Sequence, residues 1–191
     1  MTTTKANADQ DVVDLLLTQH RQVKQLFSQL RTSSGSEKQE LFNELTRILA
    51  VHESAEEQVV HPAARMSAGD EEVQARLEEE DEAKHVLAEL YDMGIDDPQF
   101  DSKLAMFADA VIAHSEHEED EEFPALRSRH DAATLRKMAG AVRAAEAIAP
   151  TRPHPSGGES ATANIIAGPP LAMFDRVRDA VRDWSTKNNA T

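Results

Sequence analysis

Three stretches of this chain carry apolar residues at alternating steps of three and four, and each interrupts its own apolar stripe with a histidine. The first stripe is Val13, Leu16, His20, Val23, Phe27 and Leu30. The second is Leu41, Leu45, Ile48, His52, Ala55/Glu56 and Val59. Another, later in the chain, is Phe100, Leu104, Phe107, Val111, His114 and Glu118. Between them lies a fourth stripe of the same period, Val73, Leu77, Glu80, Lys84, Leu87 and Tyr91. Such a period belongs to helices that bury one face against other helices. Four long helices of this kind predict an all-α chain whose core is an antiparallel four-helix bundle. No stretch alternates apolar and polar residues with period two, so strands are not expected.

The breaks between stripes set the expected boundaries. The first helix should run from about Asp9 to Arg31 and the second from Ser34 or Ser36 to about His61, where Pro62 cannot donate to the helix ladder. A third is expected from Asp70 to Gly94, a glycine suited to helix termination. Asp97-Pro98 supplies a cap and a first-turn proline for a fourth, ending near Phe123 before Pro124. The bundle is therefore expected over 9–130, after a disordered N-terminus over 1–8. An additional helix is expected over 131–148. The segment 149–170 holds five of the eight prolines and three of the seven glycines and is expected to be a linker. The segment 171–191 carries a stripe of Leu171, Phe174, Val177, Val181 and Trp184, the pattern of an amphipathic helix. It would cover a groove of the bundle or dock a protein partner.

Polar residues inside the stripes need a physical reason. His52 and Glu56 stand four residues apart, one turn along the same face, and His114 and Glu118 repeat the spacing. A carboxylate loses several kcal/mol on leaving water unless a partner compensates it. A metal ion supplies that compensation, and imidazole and carboxylate groups from facing helices are how bundle cores hold metals. The ligand types alone admit iron, manganese or zinc.

The chain also repeats itself. VHESAEEQVVHP (51–62) aligns with AHSEHEEDEEFP (113–124), His on His, Glu on Glu and Pro on Pro. HRQVKQLFSQL (20–30) aligns with EDEAKHVLAEL (80–90), which places Glu80 opposite His20 and leaves His85 off the stripe. Two copies of one helical hairpin would supply a ligand set each to a central site: His20, His52, Glu56, Glu80, His114 and Glu118. His61, His85 and His117 are further candidates. His61 lies nine residues after His52, about half a turn round an ideal helix, so only a distorted helix end would bring it in. Glu121 points inward by periodicity. Lys24 and Lys84, each four residues beyond a candidate ligand, are expected to extend to solvent, the alternative being to pair with carboxylates near the site.

This order of His, His-x-x-x-Glu and a second His-x-x-x-Glu, each copy closed by proline, resembles the hemerythrin-like (HHE cation-binding) proteins over roughly Asp9 to His130. The resemblance implies two non-haem irons bridged by an oxo or hydroxo group and by the motif carboxylates. It also implies His20, His52, Glu56, His114 and Glu118 as ligands. Where the family usually supplies a histidine from the third helix, this chain has Glu80. An anionic oxygen favours ferric over ferrous iron. Reversible carriage of O2 is then less expected than processing of O2, peroxide or NO, with catalase-like or ferroxidase-like turnover and a place in oxidative or nitrosative stress. Iron storage, sensing or an interaction role without turnover is the alternative.

Composition narrows the rest. A net charge of −15 repels phosphate, so nucleic acid is not an expected partner. The absence of cysteine removes disulfides, thiolate zinc sites and cysteine nucleophiles. No apolar run approaches the roughly 20 residues that span a bilayer, and MTTTKANADQD lacks the apolar core of a secretory signal, so a cytoplasmic protein is expected. On this ligand set His52→Ala or His114→Ala should strip bound metal and His85→Ala should not, which metal analysis of the purified variants checks.

Overall fold

The computed structural model of the protein describes residues 10–65 and 69–148. The expected N-terminal segment 1–8, the linker over 149–170 and the amphipathic helix over 171–191 lie outside the described residues. Seven α-helices are described: α1 Val12–Leu30, α2 Gly35–Ala55, α3 His61–Arg65, α4 Asp70–Met93, α5 Phe100–His117, α6 Phe123–Arg129 and α7 Ala132–Ile148. Two π-helical turns, Glu56–Val60 and Glu118–Glu122, join α2 to α3 and α5 to α6. No described helix is long and apolar enough to cross a membrane.

Local chemistry explains the ends. The Asp11 carboxylate accepts the Asp14 N–H at 2.8 Å and caps α1. Gly94 takes φ of 76°, a left-handed conformation that glycine adopts without penalty, and stops α4. Asp97 acts one step earlier than expected. Its side chain accepts from the Gln99 N–H and its carbonyl from the Phe100 N–H, so it orders the turn that leads into α5.

α1 packs on α2 and α4 on α5; contacts of α1 with α5 and of α2 with α4 close a four-helix bundle. α7 lies outside it, against α1, α2 and the first π turn. The buried apolar residues form two clusters. One joins Val23 to Leu30, Phe42 to Leu49, Leu87, Leu90 and Phe100 to Val111. The other joins Val12, Val13 and Leu16 to Ala55, Val60, Val73, Phe123, Leu126 and the inner face of α7. His20, His52, Glu80, His114 and Glu118 fall in sequence between the two clusters, and Glu56 follows Ala55 at the edge of the second, so a polar layer sits between two apolar ones.

The prolines do not end their helices as expected. Each comes just after a wide turn: the His61 N–H bonds the Glu56 carbonyl and the Phe123 N–H bonds the Glu118 carbonyl, both spanning five residues. A proline ring collides with the carbonyl four residues earlier and donates nothing. Widening the preceding turn relieves the collision, and the chain continues as α3 and α6. The wide turn also absorbs one extra residue, which sets everything beyond it back by one position on the helix face.

The Phe42 and Phe100 rings meet edge to face at 5.0 Å between centroids inside the first cluster. Phe42→Ala is therefore expected to lower the unfolding free energy by about 3–5 kcal/mol, measured by urea denaturation, while the polar layer keeps its spectroscopic response to added metal.

Candidate metal centre

Each bundle helix delivers polar side chains to the same depth. α1 brings His20, α2 His52, α4 Glu80 and α5 His114, while Glu56 and Glu118 open the two π turns. All six are buried except His114, which is slightly open to solvent. The inward ring nitrogens approach the carboxylates. His52 Nε2 is 3.1 Å from Glu56 Oε2, His20 Nε2 is 3.3 Å from Glu118 Oε2, and His114 Nε2 is 3.5 Å from Glu118 Oε1.

The donor atoms fall into two groups in which all lie within 4.8 Å of one another. One contains His20, His52, Glu56 and Glu118, and the other contains Glu56, Glu80, His114 and Glu118. Glu56 and Glu118 belong to both. Among the described residues, His20 Nε2, His114 Nε2, Glu80 Oε2 and all four oxygens of Glu56 and Glu118 are buried without a hydrogen-bond partner. Buried polar atoms in native proteins are nearly always paired. A cluster of unpaired acceptors and imidazole nitrogens, converging at this spacing, has the donor types of a cation site.

The outward nitrogens show how the rings are aimed. Nδ1 of His20 donates to Glu119 at 2.9 Å, Nδ1 of His114 to Glu79 at 2.9 Å, and Nδ1 of His52 to the Gln19 side-chain oxygen at 2.8 Å. A neutral ring with its proton on Nδ1 turns its Nε2 lone pair into the layer, as a metal ligand requires. Sequence reasoning missed these three partners. Each is the chain neighbour of a candidate ligand (Gln19 of His20, Glu79 of Glu80, Glu119 of Glu118) and serves a histidine on a different helix. The residue flanking a stripe position at a helix–helix boundary was the signal available.

His61 reaches the layer because of the π turn. Set back by one position, it takes the place one turn beyond Glu56 on the inward face. It is buried, with Nε2 2.5 Å from Glu80 Oε1 and Nδ1 3.3 Å from Glu122 Oε1, so both nitrogens are taken up by carboxylates and His61 belongs to neither donor group. The second π turn corrects the expectation for Glu121. That residue is exposed, and Glu122 is buried in the inward place that uninterrupted periodicity would give its neighbour. Lys24 and Lys84 take the pairing alternative. Lys24 lies 3.6 Å from Glu119, and Lys84 bonds Glu57 and lies 3.7 Å from Glu80, since carboxylates are within reach on every side.

His85 and His117 stay outside both groups. The His85 side chain is 53% exposed and bonds the Asp81 carbonyl, and His117 is 47% exposed and bonds Glu79. Glu80, not His85, is the residue that α4 turns inward.

Electrostatics reflect the crowding. Burial and the neighbouring Glu118 and Glu80 push the Glu56 carboxyl well above the usual carboxylate range. Burial acts the same way on Glu118, yet His114 and His20 overcome it and hold that carboxyl at about 2. Burial lowers His114, but Glu118 and Glu79 outweigh it and raise the imidazole to about 9. His61, facing Glu80 and Glu122, is raised against its own burial to about 12. Burial lifts Glu53 to about 8.

A cleft of about 430 Å³ reaches the layer from outside. Val86, Phe107 and Val111 line it, and His20, His52 and His114 lie at its inner end.

With this geometry in hand, the likeness to known proteins is specific. The sequence profile of the Hemerythrin HHE cation binding domain matches residues 11–126. A protein of Nostoc sp. (strain PCC 7120 / SAG 25.82 / UTEX 2576) described as a DNA nickase is 28% identical over 158 residues, covering 82% of this chain; the chain spans only 44% of that relative's length. An uncharacterized hemerythrin-like protein of Schizosaccharomyces pombe is 22% identical over 177 residues, covering 91% of this chain and 87% of its own. The crystal structure of a Hemerythrin HHE cation binding domain-containing protein from Mycobacterium kansasii superposes with a TM-score of 0.65 at 21% identity, covering 72% of this chain and 85% of that one, which is a likeness of fold.

The shifted groups give the metal-free protein a defined pH response. The raised groups Glu53, His114 and His61 hold more protons folded than unfolded between pH 6.5 and 8. Their contribution to stability is present at lower pH and is lost as pH rises. His52, lowered to about 3, acts the opposite way only below pH 6.5. The urea midpoint of metal-free protein is therefore expected to fall from pH 6.5 to pH 8, and a midpoint that rises across that window contradicts the assignment.

Proposed function

The chain belongs to the Hemerythrin HHE cation binding domain family, and we propose on that premise that its buried layer holds two iron ions that bind and process O2, peroxide or NO. The observation that supports this reading most is the sharing of Glu56 and Glu118 between two four-residue donor groups. His20 and His52 would complete one metal's set, and Glu80 and His114 the other's. Bound iron supplies redox capacity and an open coordination position for a small oxidant or gas.

The chain's own residues do the rest. Glu119, Gln19 and Glu79 hold the three imidazoles in the tautomer that presents Nε2. The two apolar clusters exclude water above and below the layer, which strengthens every charge interaction inside it. The cleft past Phe107 and Val111 gives a small uncharged molecule a route to the histidines. His61 holds its protons toward Glu80 and Glu122 and keeps Glu80 turned inward.

Glu80 sets the chemical bias. An oxygen anion in place of an imidazole favours the ferric state. The proposal is therefore turnover of peroxide or NO, catalase-like or ferroxidase-like in kind, rather than reversible oxygen carriage. DNA nicking, named for the Nostoc relative, is not extended to this chain. The chain spans less than half of that protein, and a net charge of −15 repels phosphate.

Reconstitution is expected to give about two irons per chain, consistent with the two donor groups, with a Mössbauer and optical signature of a coupled ferric pair that changes on adding peroxide. Glu80→His should slow peroxide turnover and prolong the ferrous state, measured by oxygen evolution and anaerobic spectroscopy. Iron bound without any response to peroxide or NO would overturn turnover and leave iron holding, and protein that takes up no iron would overturn both.

A further inference from the structure

The family match ends at residue 126, yet a helix beyond it reaches the metal layer. α7 packs across α1, α2 and the first π turn, and Leu135, Ala139, Val142 and Ala145 enter the second apolar cluster. The next residue, Glu146, points its carboxylate at α1. There the Gln19 side-chain N–H donates to Glu146 Oε1. The other end of the same amide, Gln19 Oε1, accepts from His52 Nδ1 at 2.8 Å. His52 Nε2 faces Glu56 Oε2 at 3.1 Å.

The direction of this chain of hydrogen bonds is forced by its last member. An amide has one accepting oxygen and one donating nitrogen, and a carboxylate oxygen accepts. Glu146 therefore selects which way the Gln19 amide lies, with the nitrogen toward α7 and the oxygen toward His52. An oxygen at that place accepts only from a protonated Nδ1, which leaves the His52 Nε2 lone pair facing inward. The amide flipped the other way would offer His52 a donor and select the opposite tautomer, with a proton on Nε2. His20 and His114 need no such device, because each already donates to a carboxylate carried by a bundle helix or its π turn, Glu119 and Glu79. Among these three histidines His52 alone is served by a neutral amide, and so alone depends on something else to orient it.

We infer that Glu146 of α7 is a positioning residue for the metal centre, acting through the Gln19 amide to fix the tautomer of His52. The inference rests on the reading of His52 as a ligand, but its first consequence is measurable without any metal. Long-range proton–nitrogen NMR of the full-length metal-free protein reports the His52 tautomer. The wild type should show the proton on Nδ1. Glu146→Ala should shift His52 to a mixture carrying Nε2–H, and Glu146→Gln, whose side-chain oxygen still accepts from Gln19, should restore the wild-type form. In Co²⁺ titrations Glu146→Ala should bind about 10-fold more weakly, the low end of what loss of a ligand-orienting partner does, with Glu146→Gln close to wild type. Leu135→Ala loosens α7 elsewhere; it should lower thermal stability and leave the His52 tautomer unchanged. Should Glu146→Ala not fold, Gln19→Leu breaks the link from the other side and must give the same tautomer mixture. An unchanged tautomer in Glu146→Ala or Gln19→Leu, or a change in Leu135→Ala as large as in Glu146→Ala, overturns the inference. A wild-type chain that shows the Nδ1 tautomer but binds no cobalt or iron overturns the metal reading instead and leaves only the control of the His52 tautomer by Glu146 standing.

Discussion

The structure turns on the burial of Glu56, Glu80 and Glu118 in one layer between two apolar clusters. Taking a carboxylate out of water costs several kcal/mol, and three close together add mutual repulsion. Side chains alone meet this only in part. His114 and His20 hold the Glu118 carboxyl down, while Glu56, with Glu118 and Glu80 for neighbours, is pushed up. The oxygens of Glu56 and Glu118 stay without hydrogen bonds among the described residues. Positive charge at the centre of the layer, such as the proposed metal centre would bring, offsets this conflict. The arrangement that crowds these carboxylates is the one that suits cations.

The two π turns carry that arrangement. Each begins on a shared carboxylate and ends just before a residue whose chain neighbour is proline. By taking in one extra residue each turn rotates the next stretch of helix. The first brings His61 against Glu80 and Glu122, and the second stacks Phe123 on His20 at 5.5 Å. Proline, normally a helix breaker, here accompanies a change of helical pitch, and the helix continues beyond it to support the layer from below.

A second ring of residues aims the first. Glu119, Gln19 and Glu79 each sit beside a layer residue in the chain and bond a histidine on another helix. The cross-connections tie α1 to the second π turn, α2 to α1 and α5 to α4. Reorienting one helix would therefore disturb a histidine on its neighbour as well as its own side chains. Through Gln19 the network extends to Glu146 and so to α7, outside the bundle.

Much of this was legible in the chain because helical periodicity is a local property. The stripes containing His20, His52 and His114, the His-x-x-x-Glu pairs and the internal repeat placed four helices and six layer residues. The repeat also put Glu80 rather than His85 on the inner face, where the structure has it, since a residue off the stripe of a regular helix cannot reach that face. What escaped were features set by more than one helix or by a change of pitch. Uninterrupted periodicity put Glu121 inside, and the wide turn put Glu122 there. Gln19 found His52, and Glu146 found Gln19. A single sequence determines which face of each helix is apolar, because 3.6 residues per turn dictates it. Only the packed structure decides which side chains meet across the faces, because that depends on how the helices are rotated and stacked and on where a turn takes in an extra residue.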